Sequence, residues 1–235
     1  MTETVRPPGF TPGEIDFSTL FAANIHDIKN LLFLLLGSLD QTIAEAGGEG
    51  SQLSPQLSTL KYNGQRINDK LIQLLSLFKI NQGRYQTDIE YHSVEEFVED
   101  VAVAVKPLLA ARSISIEMAA EDGLCWFFDR NLAEGVVSNA IHNALNHARK
   151  QVRLSAFSEN GFLAIRVEDD GEGFPPEALE TGPVTGVSKH QGGTGLGLYF
   201  STIAAKMHTN RDKTGYIEIS NGGTLGGAVF SLYLP

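Results

Sequence analysis

Val167-Glu168-Asp169-Asp170-Gly171-Glu172-Gly173-Phe174-Pro175 is the stretch on which the fold of this 235-residue chain turns. It follows an apolar run at 163–168 that reads as a strand, and it sets one aspartate and two glycines at D-x-G-x-G spacing. Such a turn lets backbone approach a ligand closely. Downstream, Gly192-Gly193-Thr194-Gly195-Leu196-Gly197-Leu198 forms a second glycine-rich loop that runs straight into a helix. Backbone N–H groups at such a helix start attract phosphate by hydrogen bonding and through the dipole. Upstream, the helical segment 131–148 places Asn139 and Asn143 four residues apart on one face, where amides can ligate Mg²⁺ and triphosphate oxygens. Each loop alone is commonly a connector; the information lies in their combination.

Around these three elements the chain alternates strand and helix. We read strands near 89–91, 113–118, 124–128, 151–158 and 163–168, helices at 93–111, 131–148 and 198–207, and a terminal hairpin at 215–220 and 227–234. Residues 1–87 read differently. After a Pro/Gly-containing lead, Phe17, Leu20, Phe21, Ile25, Ile28, Leu31, Leu32, Leu35 and Leu39 recur at helical spacing, stop at Gly47-Gly48-Glu49-Gly50-Ser51, and resume from Leu57 to Phe78. This predicts an antiparallel helical hairpin, with the domain boundary near Thr87. Helices of roughly 25–30 residues with so wide an apolar stripe leave surface that a second hairpin would cover, so we expect a homodimeric four-helix bundle. The fold class is α+β: this hairpin, then a sheet layered with helices over residues 88–235.

Composition excludes several functions. A net charge of −10 offers no basic stripe for nucleic acid. The single cysteine, Cys125, has no internal disulfide partner and sits in a run, 124–128, that reads as a buried strand. The longest apolar stretch, 31–36, is far short of the ~20 residues that span a bilayer, and no basic-then-apolar signal opens the chain. These features place the protein in the cytoplasm.

The order and spacing of the three nucleotide-type elements resemble the N, G1 and G2 boxes of the ATPase fold shared by histidine kinases, gyrase and heat-shock chaperones, and the resemblance covers residues 88–235. It implies an α/β-sandwich domain binding ATP with Mg²⁺. Asp169 would read the adenine amino group, Gly171 and Gly173 shape the turn, Asn143 hold the metal, and Gly193, Thr194, Gly195, Leu196 and Gly197 cradle the phosphates. Asn139 stands where the hydrolysing branch of that family carries a glutamate base. An amide cannot accept a proton usefully near neutral pH, which points away from water activation and toward a kinase.

His26-Asp27-Ile28-Lys29-Asn30 on the first helix resembles the H-box of dimerising histidine kinase domains. The adjacent Asp27 carboxylate can take a proton from the imidazole or bias its tautomer, leaving the other ring nitrogen free to attack. Asn30 lies one turn on; in the family its position orients a water that hydrolyses the phosphorylated receiver, which implies phosphatase capacity. The whole then reads as a two-component kinase that phosphorylates His26 from Mg-ATP and passes the group to an aspartate of a response-regulator receiver, with input from an upstream sensor protein or domain.

Several positions depart from the family pattern. Asn146 and His147 stand where many relatives carry a basic residue and an aromatic. Lys189 in the lid (residues 175–191) is therefore the candidate for phosphate charge, with Arg149 and Lys150 behind it, while His147 is a candidate to stack on adenine. The lid lacks a Phe-rich box, and no proline follows the H-box. Two other readings stay open: a phosphotransfer scaffold with a relic ATP domain, and an anti-sigma type serine kinase that would not need His26.

Overall fold

The computed structural model describes residues 17–45, 54–181 and 196–235 and divides the chain into two compact units, Met1–Phe78 and Lys79–Pro235. The glycine-rich turn expected at 47–51 and most of the lid lie outside the described residues.

In the first unit α1 spans Phe17–Glu45 and α2 spans Ser54–Asn81, which runs into the second unit. Asp40 on α1 is ion-paired with Lys61 on α2, and Gly64 of α2 lies against Leu36. Residue numbers rising on one helix as they fall on the other make the two antiparallel. Ser38 and Thr42 do not break α1, because their hydroxyls bond back to the carbonyls of Leu34 and Ser38. Ile25 and Leu36 are buried, whereas Ile28, Leu31, Leu34 and Leu35 are 47%, 67%, 65% and 50% exposed. A run of leucines that open to water is far more than a soluble monomer usually shows.

α2 stops at Gly83, whose φ of +65° is left-handed. Gly83 N–H donates to Ile80 O and Arg84 N–H to Lys79 O, both at 2.9 Å, a paired helix-ending arrangement that glycine adopts without strain.

The second unit is built on a five-stranded mixed sheet in the order β2-β4-β5-β9-β8: β2 Ser115–Ala120, β4 Gln151–Glu159, β5 Phe162–Asp169, β8 Tyr216–Asn221 and β9 Ala228–Leu234. β2 and β4 run parallel and the other pairs antiparallel. Cross-strand partners Leu154↔Val167↔Phe230 and Ile165↔Leu232↔Ile217 form the apolar face, all of them buried. Three helices pack on this sheet: α3 Val94–Ala111 against β2 and β4, α4 Arg130–His147 against β5, and α6 Leu196–Lys206 against β8. The opposite face is polar, with Arg153↔Glu168 and Ser155↔Arg166 side by side.

Three features were not predicted. A short helix, α5 Pro176–Thr181, begins the lid, and a small hairpin of β6 Thr209–Asn210 and β7 Lys213–Thr214 follows α6. The run at 124–128 is not a fully buried strand. It is β3, Cys125–Asp129, paired with β1, Ile89–Ser93, in a separate two-stranded sheet. Phe128 is buried there, but Phe127 is 59% exposed and packs on exposed Tyr91. A ribbon of two strands covered on one side buries only alternate residues.

α4 and α6 are joined at His208. Its Nδ1 bonds Ala204 O at 2.9 Å and its Nε2 accepts from Asp129 N–H at 3.0 Å, which requires the neutral Nδ1–H tautomer. Burial lowers the His208 pKa from its ordinary value of 6.5, against the opposing pull of the Ala204 carbonyl and Asp129. The unfolded chain therefore takes up this proton at a higher pH than the native one, and stability falls as the pH drops below ~6.5. Urea midpoints measured from pH 7 to pH 5 are expected to fall more steeply for the wild type than for His208→Gln, the difference approaching at most ~1.4 kcal/mol per pH unit.

Candidate functional site

Asp169 ends β5 and is 3% exposed. Its Oδ1 accepts from Gly171 N–H at 2.9 Å and Ala228 N–H at 3.2 Å, and its carbonyl accepts from Gly227 N–H at 3.0 Å. Both side-chain bonds fall on Oδ1; Oδ2 takes part in neither. The glycines are needed for contact rather than for flexibility: a Cβ on Gly227 would overlap the Asp169 carbonyl, and one on Gly171 would stand 2.5 Å from the carbonyl oxygen of His147. Gly173 has φ +86°, and a side chain there would also strike Asn221. The Asn221 amide clamps the turn from β8, accepting from Phe174 N–H at 2.7 Å and donating to Phe174 O at 2.8 Å.

Helix α4 presents Asn139, Asn143 and His147 at successive four-residue steps, one row along its surface. Asn139 is buried, Asn143 and His147 exposed. Asn139 lies against Gly197 at the start of α6, where any Cβ would overlap its amide. Helix α4 thus joins the D-x-G-x-G turn with Asp169, Gly171 and Gly173, which touches it at His147, to the first turn of α6 with Leu196 and Gly197, which touches it at Asn139; Asn143 lies between the two contacts. Lys189, Gly193, Thr194 and Gly195 lie outside the described residues.

The far end of α4 is tied to the same turn. The Asp170 carboxylate accepts from Arg149 N–H at 2.7 Å and Lys150 N–H at 3.0 Å. Partial burial pushes this carboxyl up, but the backbone bonds from Lys150, Gln151 and Arg149 outweigh it and hold Asp170 below its ordinary value. Arg149 and Lys150 thus contribute their backbone to the turn.

Among the described residues no cluster of three or more His, Cys, Asp or Glu is positioned to hold a metal. The donor set is instead neutral amide oxygen, which suits a hard cation that brings its own phosphate ligands. The glycines let the turn, α4 and α6 pack closer than any side chain would allow. Asn143, exposed one turn on from the buried Asn139, offers an amide oxygen of the kind such a cation takes.

On α1, Asn30 Nδ2 stands 3.2 Å from His26 Nδ1, and Asp27 Oδ1 stands 3.8 Å from the same nitrogen. The imidazole is 59% exposed. Nδ1 is therefore the nitrogen flanked by both neighbours. The Asn30 amide N–H donates to Nδ1 only while that nitrogen is unprotonated, whereas the Asp27 carboxylate faces a donor there only once Nδ1 carries the proton, which leaves the lone pair on Nε2.

Sequence reasoning did not single out Asn221, Gly227, Asp170 or Asp129. Gly227 stands in a Gly-Gly pair at a strand start, a local signal of close approach. Asn221 is 47 residues from the turn it clamps and carries no local signal.

No described helix is long and apolar enough to cross a membrane. Residues 128–235 match the family of histidine kinase-, DNA gyrase B- and HSP90-like ATPases. The chain is 27% identical over 241 residues to the signal transduction histidine-protein kinase AfsQ2 of Streptomyces coelicolor, across 95% of this chain and 43% of that protein. It is 29% identical over 227 residues to the sensor histidine kinase ZraS of Salmonella typhimurium, across 92% of this chain and 45% of that protein. The chain thus spans less than half the length of these two relatives. The Acinetobacter baumannii histidine kinase AdeS superposes with a TM-score of 0.56 at 20% identity, covering 89% of this chain and 96% of that one. Full-length ShkA in complex with AMPPNP gives 0.58 at 20% identity, over 93% and 46%. These structural likenesses speak for the fold.

Proposed function

We propose that this chain, whose residues 128–235 are a histidine kinase-, gyrase- and HSP90-like ATPase domain, is the core of a two-component sensor histidine kinase. Residues 1–87 serve as the dimerising, phosphoacceptor hairpin and residues 88–235 as the catalytic ATP-binding domain. The observation that supports the reading is that one helix, α4, packs on the Asp169 turn through His147 and on the glycine-rich start of α6 through Asn139, in a chain whose first helix sets a carboxylate and an amide beside one nitrogen of an exposed histidine.

In this reading Asp169 Oδ2 accepts the adenine amino group while Gly171 and Ala228 fix the carboxylate. Asn139, Asn143, the first turn of α6 and the loop before it, with Gly193, Thr194 and Gly195, line the phosphates; Lys189 supplies positive charge and His147 stacks on the base. Asn143 would hold Mg²⁺, which when bound would offset phosphate charge. Phosphoryl transfer asks the protein chiefly for positioning and charge compensation. His26 Nε2 forms the new N–P bond as the bond from the γ-phosphorus to the β–γ bridging oxygen breaks, and ADP leaves with that oxygen. Asp27 holds the Nδ1 proton and stabilises the imidazolium character that develops. The phosphoryl group then passes to an aspartate of a response-regulator receiver, and Asn30 orients a water that hydrolyses that phosphorylated aspartate, releasing inorganic phosphate. Asn139 in place of a carboxylate base favours transfer over hydrolysis. An upstream sensor supplies the input, and the protein works in the cytoplasm.

The test is a two-step transfer: label acquired from ATP by this chain must leave it as it appears on an aspartate of one member of a panel of receiver domains. Label that never leaves removes the response-regulator step.

The exposed leucines support a homodimer. Leu31→Glu with Leu35→Glu places four charges in the expected bundle core, and sedimentation is expected to shift from dimer to monomer over the micromolar range. A wild type already monomeric there contradicts the bundle.

A further inference from the structure

The chain that enters the second unit from α2 is fastened to the helix that carries Asn139 and Asn143. Asp129 is the N-cap of α4 and is 1% exposed. Its Oδ1 accepts from Leu132 N–H at 3.0 Å, the capping bond. Its Oδ2 accepts from two groups of the entering segment, the Tyr85 hydroxyl at 3.2 Å and Asp88 N–H at 3.1 Å. Its own N–H donates to His208, which bonds in turn to the last turn of α6.

These contacts close a frame. α4 and α6 run antiparallel and touch at three levels: Asp129 with His208, Gly135 under the Phe200 ring, and Asn139 with Gly197. The last level is the phosphate end of the candidate site; the first is where Tyr85 attaches. Asn139 lies nine residues into α4, about 13 Å along a rigid rod, so a tilt at the cap is carried to it undiminished.

We propose that Tyr85 is a positioning residue for nucleotide: its hydroxyl, through Asp129, sets α4 against α6 and couples the segment leaving α2 to the affinity of the ATP site. The inference rests on the nucleotide-binding reading above. Burial and the Asp129 carboxylate both push the Tyr85 phenol well above its ordinary value, so it remains a donor at any physiological pH. The coupling is reciprocal: whatever holds Tyr85 on Asp129 tightens nucleotide, and bound nucleotide tightens Tyr85 and Asp88 on Asp129.

The experiment compares the full chain with Tyr85→Phe, which removes one oxygen, and with Phe162→Ala, which disrupts the remote Phe162–Tyr216–Tyr233 ring cluster and serves as the control for plain destabilisation. Binding of AMPPNP with Mg²⁺ is measured by calorimetry, and amide exchange at Asp88 and Leu132 is followed with and without it. Tyr85→Phe is expected to weaken AMPPNP roughly two- to five-fold, the share of one hydrogen bond. It should also abolish the slowing of Asp88 exchange that nucleotide produces in the wild type. Phe162→Ala should lower the unfolding midpoint with both of those readouts intact. Unchanged affinity and an unchanged Asp88 response in Tyr85→Phe overturn the coupling alone. No AMPPNP binding by the wild type overturns the nucleotide reading as well, and the two failures are thereby told apart.

Discussion

Asp169→Asn is expected to weaken ATP binding by about 100-fold, roughly 2.7 kcal/mol, while leaving the unfolding midpoint of the nucleotide-free chain nearly unchanged. The asymmetry comes from the two carboxylate oxygens. Oδ1 must keep accepting from Gly171 and Ala228, so the asparagine oxygen stays there and both N–H groups remain satisfied. The new NH₂ is then forced into the Oδ2 position. There it meets the adenine amino group donor to donor, and a charge-assisted bond becomes a repulsive contact. Displacement of a fluorescent ATP analogue measures the loss. Undiminished affinity would mean that adenine is read elsewhere.

His26→Gln has the larger effect on activity. Glutamine keeps a polar group within reach of Asn30 and the helix keeps its length, but no nitrogen with a nucleophilic lone pair remains. Phosphate incorporation from ATP is expected to drop to background, at least ~1000-fold, with the ATP dissociation constant unaltered. Asp27→Asn should retain measurable transfer at a rate lowered ~10- to 100-fold, since it removes only the group facing the Nδ1 proton 3.8 Å away. Equal labelling of wild type and His26→Gln would move the acceptor to another residue and favour the serine-kinase reading.

Much of the fold was legible because it rests on local periodicity. The apolar residues recurring through 151–169 and 227–234 mark strands, and the helices at 94–111 and 130–147 carry their stripes plainly. The site's outline was legible for a related reason: glycines at 171, 173 and 197 appear as breaks in pattern, and each proves to be a point where a Cβ would collide. What sequence did not show is where distant segments meet. Asn221 and Tyr85 look like ordinary polar loop or strand-end residues, and their partners, Phe174 and Asp129, lie 47 and 44 residues away. The run at 124–128 misled because an unbroken apolar string does not say whether one or both faces are covered; pairing with β1 in a two-stranded ribbon leaves Phe127 in water.

The central claim is phosphoryl transfer to an imidazole nitrogen, and the chemical stability of the bond tests it most directly. The full chain is incubated with Mg²⁺ and ATP labelled at the γ-phosphate, and the product is divided between acid and alkali. Label lost in acid, retained in alkali and mapped to the peptide bearing His26 is the result expected. Acid-stable label on serine or threonine, or no label from a chain that binds ATP, would contradict the account.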